Sequence, residues 1–325
     1  MSDLFNVSTN PHVRSKDTTQ TIMRDVLIAL TPASIFGIYN FGLGALLRIV
    51  IGIAVCVAAE GAYQYFMHKK VTISDLSAAV TGLLIALNVP PTLNIGYEIV
   101  GCLFAIIIVK QLFGGLGQNF MNPALGARAF MMASWAGFMT TWTAPHAKLP
   151  LFGNVTVTDA ISTATPLASL KTGTLPDVSI VESLLGQTGG VIGETSALAL
   201  IVGGLYLLWR KVITINIPAA YILTVAVITF LFPMGGQSHL QWMLYQVLDG
   251  GLMLGAIFMA TDYVTSPLTT KGRVIFALGC GFLTSAIRVF ANSAEGVSFA
   301  VLLMNLLVPY INEGCRTKPV GGVKA

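Results

Sequence analysis

Apolar positions in this chain run in long unbroken stretches. They show neither the alternation of a half-buried strand nor the narrow stripe of an amphipathic helix. Residues 26–47 carry no charge and are long enough to cross a bilayer, with Pro32 expected to kink them. Similar stretches follow at about 49–67, 76–89, 97–113 and 120–140. After a polar interval at about 141–190 come 195–209, 212–232, 240–261, 274–290 and 296–311. The pattern predicts an all-α polytopic membrane protein of about ten transmembrane helices. Its expected organisation is an N-terminal segment (1–25), a first five-helix half (26–140), a loop (141–190), a second five-helix half (191–312) and a tail (313–325). Five spans per half is an odd number, so the halves are expected to be inverted relative to each other. A short internal similarity supports this. Pro91-Thr92-Leu93-Asn94-Ile95-Gly96 before Gly101-Cys102 matches Pro267-Leu268-Thr269-Thr270-Lys271-Gly272 before Gly279-Cys280.

Composition agrees: 54% of the 325 residues are hydrophobic and only 10% charged, against about 25% charged in soluble domains. With the N-terminus placed in the cytoplasm, 13 of the 18 lysines and arginines fall in cytoplasmic segments, Lys110 among them. Only Lys148 and Lys171 lie in external loops, while Arg48, Arg128 and Arg288 lie in or beside spans. This asymmetry places both termini in the cytoplasm and the 141–190 loop outside. The net charge of +4 is thereby explained without a nucleic-acid partner. No signal-peptide pattern precedes the first span, which is expected to act as its own insertion signal. Cys56, Cys102, Cys280 and Cys315 are scattered, as are the four histidines, so no zinc, iron–sulfur or haem spacing is present.

Four polar features are candidates for chemistry. The run Asp159-Ala160-Ile161-Ser162-Thr163-Ala164-Thr165-Pro166-Leu167 is rich in small and hydroxyl residues, and Pro166 biases Thr165 toward extended backbone. It reads as a turn, or as a loop that presents a hydroxyl. Gly114-Gly115-Leu116-Gly117-Gln118-Asn119-Phe120-Met121-Asn122 reads as a broken linker that permits helix packing. Alternatively it is a close-approach loop in which Asn119 and Asn122 bond a heterocycle edge. Thr261-Asp262-Tyr263-Val264-Thr265-Ser266 binds a ligand or ion, or caps the next helix. Asp249, Arg128, Arg288 and Glu60 are ionisable residues within spans. Asp249 is an ion-path candidate and the arginines are phosphate-binding candidates, with a structural Asp–Arg pair as the alternative.

Together with the 295–305 run, these motifs resemble the RnfD family, the D-type membrane component of the Rnf ion-translocating ferredoxin:NAD oxidoreductase. Its relative is the NqrB component of the sodium-translocating NADH:quinone reductase. NqrB has a longer N-terminal region, which favours the Rnf resemblance. That resemblance implies FMN joined by a phosphoester to the last residue of a Ser-Gly-Ala-Thr pattern. Here the pattern is Ser162-Thr163-Ala164-Thr165, so Thr165 is nominated, and Thr163 departs from the family glycine. It also implies a non-covalent riboflavin, for which the Gly114–Asn122 segment, with Asn119 and Asn122, and Thr261–Ser266, with Thr261, Asp262 and Ser266, are candidates; Arg128 remains a cofactor-phosphate candidate and Ser162 a neighbour of the attachment point. The implied role is electron relay between an external FMN-bearing subunit and a cytoplasmic NAD-reacting subunit. Iron–sulfur membrane subunits, a flavin transferase and the lipid of a bacterial cytoplasmic membrane are further implied partners. A solute channel or secondary transporter is the competing class; it would carry no flavin.

Overall fold

The structure, a computed structural model, describes residues 17–146, 165–194, 196–234, 236–290 and 296–316. Among these residues the chain is entirely helical, without β-strands. The first half comprises α1 (Thr19–Phe41), α2 (Leu43–Phe66), α3 (Ser77–Leu87), α4 (Ile95–Leu103), α5 (Pro123–Ser134) and α6 (Ala136–Met139). Two short helices, α7 (Pro166–Lys171) and α8 (Ile180–Leu185), lie in the polar interval. The second half comprises α9 (Ala197–Trp209), α10 (Asn216–Leu231), α11 (His239–Leu248), α12 (Leu252–Leu254), α13 (Thr270–Phe290) and α14 (Val297–Gly314). Both α4 and α12 continue without a break into π-helix, at Phe104–Gln111 and Gly255–Met259.

The helices α1, α2, α13 and α14 are long and apolar enough to cross a membrane. A fifth crossing is formed if α11 and Leu252–Met259, bent by 59° at their junction, count as one broken span. Large apolar side chains are exposed on the outside, among them Ile35, Tyr39, Leu205, Trp209 and Phe290, an apolar skin that water would not tolerate. The architecture is that of a polytopic membrane protein.

Every expected apolar stretch has become helix, but several lengths differ. The first turn falls at Gly42 rather than beside Arg48, so Arg48 lies buried inside α2 and donates to the backbone carbonyls of Gly44 and Leu93. All eleven residues of α3 are buried. A helix apolar on every side belongs inside a bundle, which is why this segment is short and central. It packs on α2 at Gly52 and Gly82, where a Cβ on Gly52 would stand 2.9 Å from the Gly82 carbonyl oxygen. Lys110 is not a solvated loop cation as the charge count assumed. It is buried in the π-helical end of α4, 2.9 Å from Glu60 Oε2, with Ser77 Oγ accepting a second hydrogen bond at 2.7 Å. Burial in a membrane protein requires this pairing.

At one end of α1, the buried Asp25 carboxylate accepts hydrogen bonds from Tyr206 and Arg210 and so fixes α1 against α9. In the polar interval, α8 opens with a reciprocal cap: Ser179 N–H donates to Glu182 Oε2 at 2.7 Å and Glu182 N–H to Ser179 Oγ. These bonds hold the Glu182 carboxyl below its ordinary range. Their stabilisation is therefore present above the ordinary glutamate pKa and is lost as pH falls through the lowered one.

Candidate functional site

A large cavity, about 790 Å³ counting its open mouth, gathers the early turns of α1 and α3, the linker after α4, the α9–α10 turn and the segment after Met259. Val26, Leu84, Leu116 and Phe258 give it apolar walls; Ser77, Lys110, Asn119, Asn122, Thr261 and Asp262 give it polar points. Two stretches nominated separately from the sequence meet here. Asn119 Nδ2 donates to the Met121 carbonyl at 3.0 Å, and its Oδ1 can accept. Asn122 caps α5 through Oδ1, which accepts from Ala124 N–H at 3.0 Å and Leu125 N–H at 3.3 Å. Its Nδ2 donates to the Met259 carbonyl, where the π-helix leaves a carbonyl without the usual helical partner. Thr261 donates to the Ile257 carbonyl, and Asp262 Oδ2 accepts from Thr265 at 3.0 Å. Ser266 is buried close by in sequence but does not line the cavity, and the cap on α13 comes from Thr269 rather than from the 261–266 hydroxyls.

A second cavity of about 330 Å³ lies toward the other end of the same broken helix. It brings Thr165 together with Asp249, along with Thr188, Glu194 and the glycines Gly189, Gly190 and Gly250. Thr165 is the N-cap of α7: its backbone is extended, and Oγ1 accepts from Ala168 N–H at 3.2 Å. Pro166 at the first helical position fits both facts, since it fixes φ and lacks the N–H that would go unbonded there. Ser162 and Thr163 lie outside the described residues. Asp249 closes α11, and Gly250 and Gly251, with φ of 72° and 69°, turn the chain into Leu252–Met259. A Cβ on Gly250 would stand 2.6 Å from Leu167, and one on Gly251 would land on Glu194 Oε1. Only glycine meets both the conformation and the space.

Between the two cavities lies a smaller one lined by Asn88, Arg128, Glu194, Gly250, Met259 and neighbours. Arg128, nominated as a phosphate-binding residue, thus lies outside both larger cavities. It donates to Asn88 Oδ1 and pairs with Glu194 Oε1 at 3.2 Å. Arg288 donates to the carbonyls of Gln246, Asp249 and Gly250, covering the C-terminal end of α11. Sequence reasoning missed Glu194, Asn88 and Lys110 as site residues. Glu194 sits at the edge of the polar interval, and only its fold partner, 66 positions away, marks it out.

Apolar helices, one of them broken, with one polar cavity at the break and another beyond its Met259 end, define a polytopic membrane protein. Residues 6–321 match the model of the NQR2, RnfD, RnfE family, and the chain belongs to that family. It is 46% identical over 323 residues to the D subunit of the Na(+)-translocating ferredoxin:NAD(+) oxidoreductase complex of Acetobacterium woodii, covering 98% of this chain and 96% of that one. It is 42% identical to the D subunit of the proton-translocating ferredoxin:NAD(+) oxidoreductase complex of Clostridium ljungdahlii, with the same coverage. It is 38% identical to the D subunit of the ion-translocating oxidoreductase complex of Stutzerimonas stutzeri, covering 94% of this chain and 93% of that one.

Proposed function

We propose that this chain is the RnfD component of an ion-translocating ferredoxin:NAD oxidoreductase complex, and that it holds one flavin covalently at Thr165 and a second non-covalently in the large cavity. The carrying observation is the convergence of Asn119 and Asn122 with Thr261 and Asp262 in one cavity, at the other end of Leu252–Met259 from Thr165. Flavins supply the electron-transfer chemistry when bound. The chain's own residues supply position and polarity. The apolar walls of the large cavity accept a flat ring system, while Asn119 Oδ1, the Thr261 hydroxyl and the Asp262 carboxylate offer partners to its polar edge. At the other end, Thr165 offers a hydroxyl for a phosphoester. The bond that caps α7 uses a lone pair on Oγ1 rather than its hydrogen, so the cap does not depend on the hydroxyl proton.

In this reading both termini are cytoplasmic and Thr165 faces outside. The mouth of the large cavity collects the ends of α1, α3, α9–α10 and 261–264, the same ends that carry the cationic loops. An inverted arrangement of two five-helix halves is supported by packing between corresponding helices: α1 lies on α9, and α5 on α14. The working partners are the other subunits of the complex, with a flavin transferase acting on Thr165 from outside.

The large cavity is tested by flavin release. Denaturing the purified complex in acid should leave one flavin on this chain and free another into the supernatant. Asp262→Asn combined with Asn119→Ala should lower the released fraction and leave the covalent one unchanged. Unchanged release would remove the second flavin from this cavity.

A further inference from the structure

We infer that Asp249, with Glu194, forms a binding site for a small monovalent cation at the break between α11 and Leu252–Met259, directly behind Thr165. The inference rests on the ion-translocating reading above and gives that activity a place in this chain. Asp249 is 5% exposed and lines the cavity, yet its Oδ2 has no hydrogen-bond partner. The Ser183 hydroxyl, also buried, stands near it without completing a hydrogen bond. A carboxylate oxygen left without a partner inside a membrane protein is costly, and such atoms mark the place of an ion or ordered water.

The donors are all hard oxygens: the carboxylates of Asp249 and Glu194, the hydroxyl of Thr188, and the backbone around Gly189–Gly190. That set excludes a preference for soft or transition metals. Charge decides the valence. Glu194 is paired with Arg128, and Arg288 reaches the carbonyls of Asp249 and Gly250. Two carboxylates and two guanidiniums nearly cancel, so the site lacks the excess negative charge that a divalent ion requires. The other titratable groups nearby are Tyr245, one turn back on the same helix, and Glu182 of α8 beside it. The broken span supplies the geometry: unwound backbone inside a bundle is where transporters coordinate their ions. Glu194 and Gly250 line both this cavity and the middle one, so the ion's onward route meets the Arg128 charge there.

Sodium and hydronium share this donor chemistry, and the test separates them. The intact purified complex is titrated with sodium chloride against choline chloride at constant ionic strength, with thermal unfolding as the readout. A parallel infrared titration follows the carboxylic-acid carbonyl band. Sodium binding predicts a saturable rise in Tm with sodium alone. Asp249→Asn should raise the half-saturating concentration about tenfold or more, and Asp249→Glu should retain part of the response. Hydronium binding predicts no sodium response, but a protonated-carboxyl band that Asp249→Asn removes. Covalent flavin fluorescence, read on the same samples, reports assembly of each variant. A sodium response without flavin at Thr165 would overturn the flavin reading alone. Wild-type and Asp249→Asn complexes that behave alike in both titrations would overturn the cation site.

Discussion

One oxygen of Thr165 has an observed role and a proposed one. As the N-cap of α7 it accepts from Ala168 N–H, and in the proposed role it carries a phosphoester. Substitutions separate the two. Thr165→Ala should abolish covalent flavin and cost about 1 kcal/mol of local helix stability through the lost cap. Thr165→Ser should keep both, as read by in-gel fluorescence and by protease resistance of the 166–185 region. Retained covalent flavin in Thr165→Ala would transfer the attachment to another hydroxyl, Thr163 first. The residues alone read as a turn before Pro166, and the family resemblance nominated Thr165; the cap was not legible, since it depends on a six-residue helix that no periodicity announces. Asn122 is a similar case. Its loop composition marked it, but its bond to Met259, 137 positions away, exists only in the fold.

At the scale of helices, existence was legible and length was not. Unbroken apolar runs announced every major helix. They did not distinguish α3, buried on all sides, from α2, which shows one face to lipid. The difference lies in what surrounds a helix, and an apolar run satisfies both settings. The buried Glu60–Lys110 pair was equally hidden, because 50 residues separate its members. It joins α2 to the end of α4 and, through Ser77, to the start of α3. Lys110→Met should therefore destabilise the protein by about 3–5 kcal/mol, because it strands the Glu60 carboxylate. Adding Glu60→Gln should restore much of the loss, read as Tm or as yield of the solubilised complex. A single substitution without effect would show that Gln64 and Gln111, which also donate to Glu60, suffice.

In the molecule as a whole, the proposed flavin sites stand at the break and beyond the Met259 end of one discontinuous span, and the proposed topology puts both termini on one side of the membrane. Native cysteines test the sidedness without new substitutions. Cys56, Cys102 and Cys280 are buried, whereas Cys315 is partly exposed. A membrane-impermeant maleimide should label Cys315 in inverted vesicles and leave it unlabelled in intact cells; the reverse pattern would invert the topology. The central claim is the flavin, and it meets its most direct test on a denaturing gel. The protein is viewed under ultraviolet light, and its peptides spanning 149–171 are then mapped by mass. Covalent attachment predicts fluorescence that survives denaturation and a mass increment of FMN less water on Thr165. Protein taken from cells with an active flavin transferase that shows neither would contradict it, and would leave Thr165 as the cap of a short helix in a membrane protein of another function.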